Sequence, residues 1–342
     1  MQPKTKRRIR LLLKIVVVTL VIATLAGFVY EEIGRRNDRK RIPQIGQSID
    51  IGGRTLNIYC SGEGSPTVIL DSGAGEPGYA WSNIQPEIAK FTRACWYDRA
   101  GEGWSDLGPF PRTSATNAQD LHELLRRAGV SSPYILVGHS YGGLNARVYN
   151  GMYPNEVAGM VLVDSAHEEE PNRAPKFMLG KTLPKSLWYP LHLVTRAALR
   201  VGLIRLFTSS PSLPADPAQQ TRRQIVAALR QQPKAVATLS DYVTSPESYA
   251  QAHAAAGLGD KPLIVLTRGK PLSPSGNAEM DREATAYEQV WMHELQAQLV
   301  RLSTRGRQVI VSNSGHGIPE EAPQAVIDAV REVVMMSRAT RR

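Results

Sequence analysis

The first long apolar stretch of the chain, IVVVTLVIATLAGFVY from Ile15 to Tyr30, runs sixteen residues without a charge. Leu11 to Leu13 extend it to twenty if the Lys14 stem lies along the apolar surface with its ammonium in water. At about 1.5 Å per residue, twenty residues reach about 30 Å, the thickness of a bilayer's hydrocarbon layer. The pattern predicts a membrane-spanning helix. The competing reading is a signal cut near Thr24–Ala26, which would release a secreted protein, but the apolar run continues past that point to Tyr30.

Beyond Arg41 the hydrophobic runs become short. Gln47–Ile51 and Thr55–Cys60 read as strands around a Gly52-Gly53 turn. Thr67–Leu70, Ala94–Tyr97, Tyr134–Val137, Ala158–Asp164, Leu263–Thr267 and Gln308–Val311 complete eight candidate strands. Between them, helices are expected at Trp81–Lys90 (with Pro86 inside it), Thr113–Gly129, Leu144–Tyr153, Arg282–Leu302 and Pro323–Met336. Strands alternating with helices predict a mostly parallel eight-stranded sheet covered on both faces, an α/β fold. Residues 165–261 break the alternation with prolines, arginines and helix formers, too long a stretch for a loop. The expected organisation is therefore 1–41 as basic N-terminus, transmembrane anchor and linker; 42–164 with 262–342 as one core; and 165–261 as a helical cap after strand six.

Charge changes this picture only at the N-terminus. Of a formal net charge of +10, residues 1–41 supply eight, with eleven Lys/Arg against Glu31, Glu32 and Asp38. The folded body is close to neutral, which excludes a basic face for nucleic acid. The basic clusters bracket the apolar run instead. The heavier one precedes it and predicts a cytoplasmic N-terminus, a single span and a body on the extracytoplasmic side, although Arg35–Arg41 opposes that orientation.

The chemistry is concentrated in LVGHSYGG, where a buried strand runs into Gly138-His139-Ser140-Tyr141-Gly142. A serine between glycines, at a strand-to-helix turn, is a nucleophile elbow: small residues let strand and helix approach while the bend exposes the hydroxyl. A serine needs a base. Among seven histidines, His316 lies just beyond the last strand with glycines on both sides, in SGHGIP. An oxyanion hole would use the N–H of Tyr141 and an N–H from the DSGAG loop after the third strand, with Gly73 the best placed.

These segments, together with YDRAGEGWSD and VLVDSAH in that order, resemble the α/β-hydrolase fold superfamily, in the serine esterase and proline iminopeptidase-like branch. The resemblance covers about residues 46 to 338 apart from the insertion, which lies where that superfamily keeps its cap. Asp71-Ser72 stands where many relatives carry His-Gly. The acid usually follows the seventh strand, but LTRGKPLSPSGNAEMD offers no carboxylate before Glu279 and Asp281. The resemblance therefore implies either Asp164, at the end of strand six, or Asp281 as the acid that orients His316, with Asp164 preferred. Its topology makes the strands of Cys60 and Cys95 neighbours and so implies a disulfide.

The implied activity is hydrolysis of a small-molecule carboxylic ester through an acyl-enzyme, without metal or organic cofactor. Phe177, Trp188, Tyr189 and Phe207 of the insertion are candidate linings for an acyl pocket. Two alternatives compete: an iminopeptidase-like aminopeptidase that reads a free amine with Glu168–Glu170, and an inactive hydrolase fold used for binding. Nothing in the sequence sets the oligomeric state.

Overall fold

The apolar runs form strands β1 (Gln47–Asp50), β2 (Thr55–Ser61), β3 (Thr67–Asp71), β4 (Ala94–Tyr97), β5 (Tyr134–His139), β6 (Val157–Val163), β7 (Leu263–Arg268) and β8 (Gly306–Val311). In the computed structural model, which describes residues 3–178, 183–208 and 211–340, they make one sheet in the order β1-β2-β4-β3-β5-β6-β7-β8. β2 runs antiparallel to both its neighbours, and every pairing from β4 to β8 is parallel. The central strands are buried on both faces, as their unbroken apolar runs require. Ile69, Leu136, Leu162 and Val265 enter one core. Val68, Leu70, Val137, Val161 and Ile264, alternating with them along the same strands, enter the other.

The helices are α1 (Pro3–Arg41), α2 (Gln85–Ala89), α3 (Ser114–Arg127) and α4 (Tyr141–Met152). After β6 come α5 (Glu170–Arg173), α6 (Trp188–Arg200), α7 (Leu203–Phe207), α8 (Arg222–Arg230), α9 (Pro233–Leu239) and α10 (Ser245–Ala254). The last four are α11 (Ala278–Val290), α12 (Gln296–Val300), α13 (Ile318–Glu321) and α14 (Pro323–Ala339). α3 and α4 cover the first core; α14 lays Val326, Val330, Val333 and Val334 on the second. Among the described residues, 165–261 contain helices and turns but no strand.

Three local expectations change. Instead of one helix over 81–90 there is a 3-10 turn, Gly78–Trp81, followed by the short α2, in which Pro86 occupies the first turn. Proline has no N–H to lose there, so it starts a helix rather than kinking one. α4 begins at Tyr141, directly after the bend, and not at Leu144. The helix expected over 282–302 is α11 and α12 joined by a π-helical turn, Trp291–Leu295.

α1 is 39 residues long and stands clear of the core over its apolar run, whose large side chains are exposed. It is the one helix among the described residues long and apolar enough to cross a membrane.

Cys60 and Cys95 are direct partners across β2 and β4 and form a disulfide. It closes a loop of 35 residues. On the chain-entropy model such a loop stabilises by about 3–4 kcal/mol. Cys60→Ser/Cys95→Ser is accordingly expected to lower the unfolding free energy by about that amount, read as a lower urea midpoint with a somewhat larger m, because the unfolded chain is released from its cross-link. An unchanged midpoint would refute it.

Candidate active site

The parallel strands end along one edge of the sheet, and three of the loops leaving that edge converge. Ser140 follows β5, Asp164 follows β6 and His316 lies in the loop after β8. Ser140 has φ 52° and ψ −121° and Asp164 has φ 40°, the only two non-glycine residues at positive φ among those described. L-residues are strained there by about 1–3 kcal/mol, and such strain clusters at functional sites. The bend at Ser140 also needs close approach on both sides. A Cβ at Gly138 would lie 2.5 Å from the Gly142 carbonyl oxygen, and one at Gly142 would lie 2.5 Å from that of Asp71. Glycine is required at both.

His316 Nε2 lies 3.1 Å from Ser140 Oγ, and His316 Nδ1 lies 2.6 Å from Asp164 Oδ2. With the proton on Nδ1 donated to Asp164, Nε2 is left as an acceptor for the serine hydroxyl. The His316 ring is half exposed, whereas Asp164 is fully buried. Burial alone would raise the Asp164 carboxyl, but the His316 hydrogen bond, the Arg268 charge and the Trp291 indole overcome it and hold the pKa at about 2. Asp164 Oδ1 accepts from the Arg268 N–H at 3.1 Å and from Trp291 Nε1 at 2.8 Å; Oδ2 also accepts from Arg268 Nη1 at 2.8 Å. Asp281, the other candidate acid, is elsewhere: it accepts from the Ser275 N–H and hydroxyl, both at 2.7 Å. The structure thus brings Ser140, His316 and Asp164 together and leaves Asp281 outside.

Tyr141 is the first residue of α4, so its N–H has no carbonyl one helical turn back to bind. Gly73 borders the serine closely enough that a Cβ on it would sit 3.5 Å from Ser140 Cβ. The DSGAG loop is held from behind by Arg99, which is buried and donates to the carbonyls of Ser72 and Gly73 and to Asp71. In a trans peptide the N–H points opposite to the C=O. Arg99 therefore turns the N–H groups of Gly73 and Ala74 away from itself. Asp71 is further fixed by Tyr97 Oη at 2.9 Å and Asn145 Nδ2 at 3.1 Å. An Asp–Arg pair thus anchors the loop where many relatives carry His-Gly.

Sequence reasoning missed several supports. Arg268, at the end of β7, pairs with both Asp164 and Glu288, and its guanidinium lies 4.5 Å from the Trp291 ring centre. Trp291 reaches Asp164 from the first residue of the π-helical turn, an irregularity common at functional sites. His139, within the elbow, lies with Nε2 2.9 Å from the His316 carbonyl oxygen and so tethers the loop that carries the imidazole. The signal for Arg268 was present in LTRGK, a cation at the strand end where an acid was sought.

The insertion's aromatics divide. Trp188 is buried, its Nε1 donating to the Leu183 carbonyl at 2.9 Å, while Phe177, Tyr189 and Phe207 are exposed. Of the four candidate pocket linings only Trp188 is buried among the described residues; Tyr189 keeps more than half its surface exposed although its ring lies 6.2 Å from that of Phe110. In the acidic cluster, Glu168 is committed to Arg147 and Glu169 lies 3.6 Å from Arg173. Burial pushes Glu170 up to about 7.

Comparison with known proteins gives the same architecture. A model of the alpha/beta hydrolase family matches residues 68–329. The chain is 36% identical over 141 residues to "Probable transporter efuK" of Hormonema carpetanum, covering 38% of this chain and 20% of that one. It is 26% identical over 300 residues to an AB hydrolase superfamily protein of Gibberella zeae, covering 80% and 87%. The chain spans about half or less of the first curated relatives it matches. Among solved structures, a thermophilic esterase from Thermogutta terrifontis superposes with a TM-score of 0.54 at 21% identity, over 86% of this chain and 99% of that one. At that identity the likeness is one of fold.

Proposed function

The chain belongs to the alpha/beta hydrolase family, and from that premise we propose that it is a membrane-anchored serine hydrolase that cleaves carboxylic esters through an acyl-enzyme. The observation that carries the reading is the Ser140–His316–Asp164 relay, with contacts of 3.1 and 2.6 Å. Ser140 Oγ attacks the ester carbonyl as His316 Nε2 takes its proton. The N–H groups of Gly73 and Tyr141 receive the developing oxyanion, each worth about 3 kcal/mol in a preorganised site. His316 then gives the proton to the departing alkoxide. In the second half, His316 deprotonates a water that attacks the acyl-enzyme, and collapse releases the acid and restores Ser140. Asp164 holds the imidazole in the required tautomer and stabilises its cation. Glu288 offsets the charge of Arg268, so the buried group formed by Asp164, Arg268 and Glu288 keeps one net negative charge for that purpose.

In this reading α1 is a single-pass anchor, its basic N-terminus cytoplasmic, with the hydrolase domain and the cap formed by residues 165–261 on the extracytoplasmic side. The aminopeptidase alternative is less well supported, since two of the three acidic side chains it would use are already paired.

A panel of p-nitrophenyl esters of graded chain length, beside proline anilide, tests the proposal together with a fluorophosphonate probe. The expected result is ester turnover and a single covalent adduct on Ser140. Turnover of the anilide alone would favour the aminopeptidase, and an inert serine would favour a binding protein.

A further inference from the structure

The insertion is fastened to α1, and the fastening fixes its height. A Cβ on Gly27 would lie 2.3 Å from the Val201 carbonyl oxygen, so the two backbones are in direct contact. Gly202, at φ +69°, packs against Tyr30. Arg205 reaches Glu31 with Nε at 2.9 Å and Nη2 at 3.0 Å, and Asp38 with Nη1 at 2.9 Å. Farther along, Arg41 Nη2 donates to the Pro211 carbonyl at 3.0 Å. Val201, Arg205 and Pro211 thus meet α1 at Gly27, at Glu31 and Asp38, and at Arg41, levels that span about 20 Å at the helical rise. The lowest of these contacts is at the bend between α6 and α7.

That bend lies below the end of the apolar run. Gly27 is three residues inside Tyr30, about 4–5 Å deeper along the axis. α7 turns Arg205 toward α1 and carries Leu203, Leu206 and Phe207 on the opposite side, where they are exposed, Phe207 at 84%. α6 adds exposed Leu193 and Val194, and exposed Arg200 closes its last turn. Leu203 lies near the level of the span's end, and Leu206 and Phe207 follow Arg205, which packs on Gly34 about 6 Å farther along the axis, with the Arg200 cation beside them and Arg35–Arg41 above. This is the composition of a surface that sits in the headgroup–acyl boundary.

We propose that the α6–α7 bend is a second membrane contact. Leu203, Leu206 and Phe207 enter the outer acyl boundary of the same bilayer that α1 crosses, so the insertion rests on the lipid surface rather than in water. The inference depends on α1 being a span. The occupant is lipid because the bend is continuous with the apolar run and held to it by backbone contact and a two-carboxylate ion pair.

The test uses the full-length protein in nanodiscs of phosphatidylcholine and phosphatidylglycerol. A nitroxide is placed by Phe207→Cys or Leu206→Cys, by Leu20→Cys in the span, or by Glu332→Cys beside β8 as the aqueous reference. The native cysteines are bridged and take no label. The expected result is that oxygen outcompetes a water-soluble nickel chelate as collision partner at 206 and 207, with values between those at 20 and 332. A label at 207 matching the aqueous reference, with position 20 in lipid, overturns the proposal and leaves the anchor standing. A water-accessible label at 20 overturns the anchor and the proposal together. Spin–spin broadening at 207 that vanishes on dilution with unlabelled protein would assign the surface to a second copy, and also overturns it.

Discussion

Ser140→Ala is expected to lower kcat for an aryl ester by about 10⁴-fold or more, with KM little changed, because the group that would form the acyl bond is gone. The residue at this position also bears a conformational load, and a second substitution separates the two. At φ 52° and ψ −121° a side chain is strained, and Ser140→Gly removes that strain. Glycine's greater freedom in the unfolded chain takes back about 0.5–1 kcal/mol. The net expectation is an inactive Ser140→Gly protein more stable than the parent by about 1 kcal/mol, read from urea unfolding. Retention of ester turnover by Ser140→Ala would remove the serine mechanism. A Ser140→Gly protein less stable than the parent would show that the hydroxyl, and not the bend, dominates the local energetics.

Asp164→Asn is expected to cost about 10⁴-fold in kcat. The amide fits the same space, but its N–H₂ faces His316 Nδ1 and favours the tautomer with the proton on Nε2, which cannot accept from Ser140. The change also leaves Arg268 paired with Glu288 alone, and breaking a buried ion pair destabilises by about 3–5 kcal/mol. Activity must therefore be measured well below the melting temperature and compared with Asp281→Asn. The latter should keep full turnover, since its carboxylate only ties down Ser275. Loss in Asp281→Asn with none in Asp164→Asn would reverse the assignment. The sign of the pH dependence follows from the depressed Asp164 pKa. Its charged contacts stabilise the fold above the unfolded value of about 3.9 and are lost only as pH falls toward 2. Acid loss of activity at pH 5 would thus not arise from Asp164.

Much of this protein is written in its local pattern. The strand positions follow from runs such as Thr67–Leu70 and Tyr134–Val137, because a strand buried on both faces has no polar alternation to hide it. The elbow was legible because its glycines answer a steric demand that any chain entering a helix from a buried strand must meet. His316 was legible from its glycine-flanked place after the last strand, and α1 from length and hydrophobicity alone.

What only the tertiary structure decided are relations between residues far apart in sequence. Asp164 and Asp281 are equivalent as letters; the parallel order β5-β6-β7-β8 puts one beside His316 and leaves the other in the first turn of α11, bonded to Ser275. Trp291 and Arg99 have no local signature, and the cation in LTRGK does not name its partner, since the meaning of each depends on which carboxylate or carbonyl another segment presents. The outward turn of Phe207 was likewise invisible, because hydrophobicity says that a side chain avoids water but not whether protein or lipid covers it. Periodicity is a property of neighbours along the chain. Electrostatic partnership and burial against a distant element arise only when the sheet closes and the insertion docks on α1.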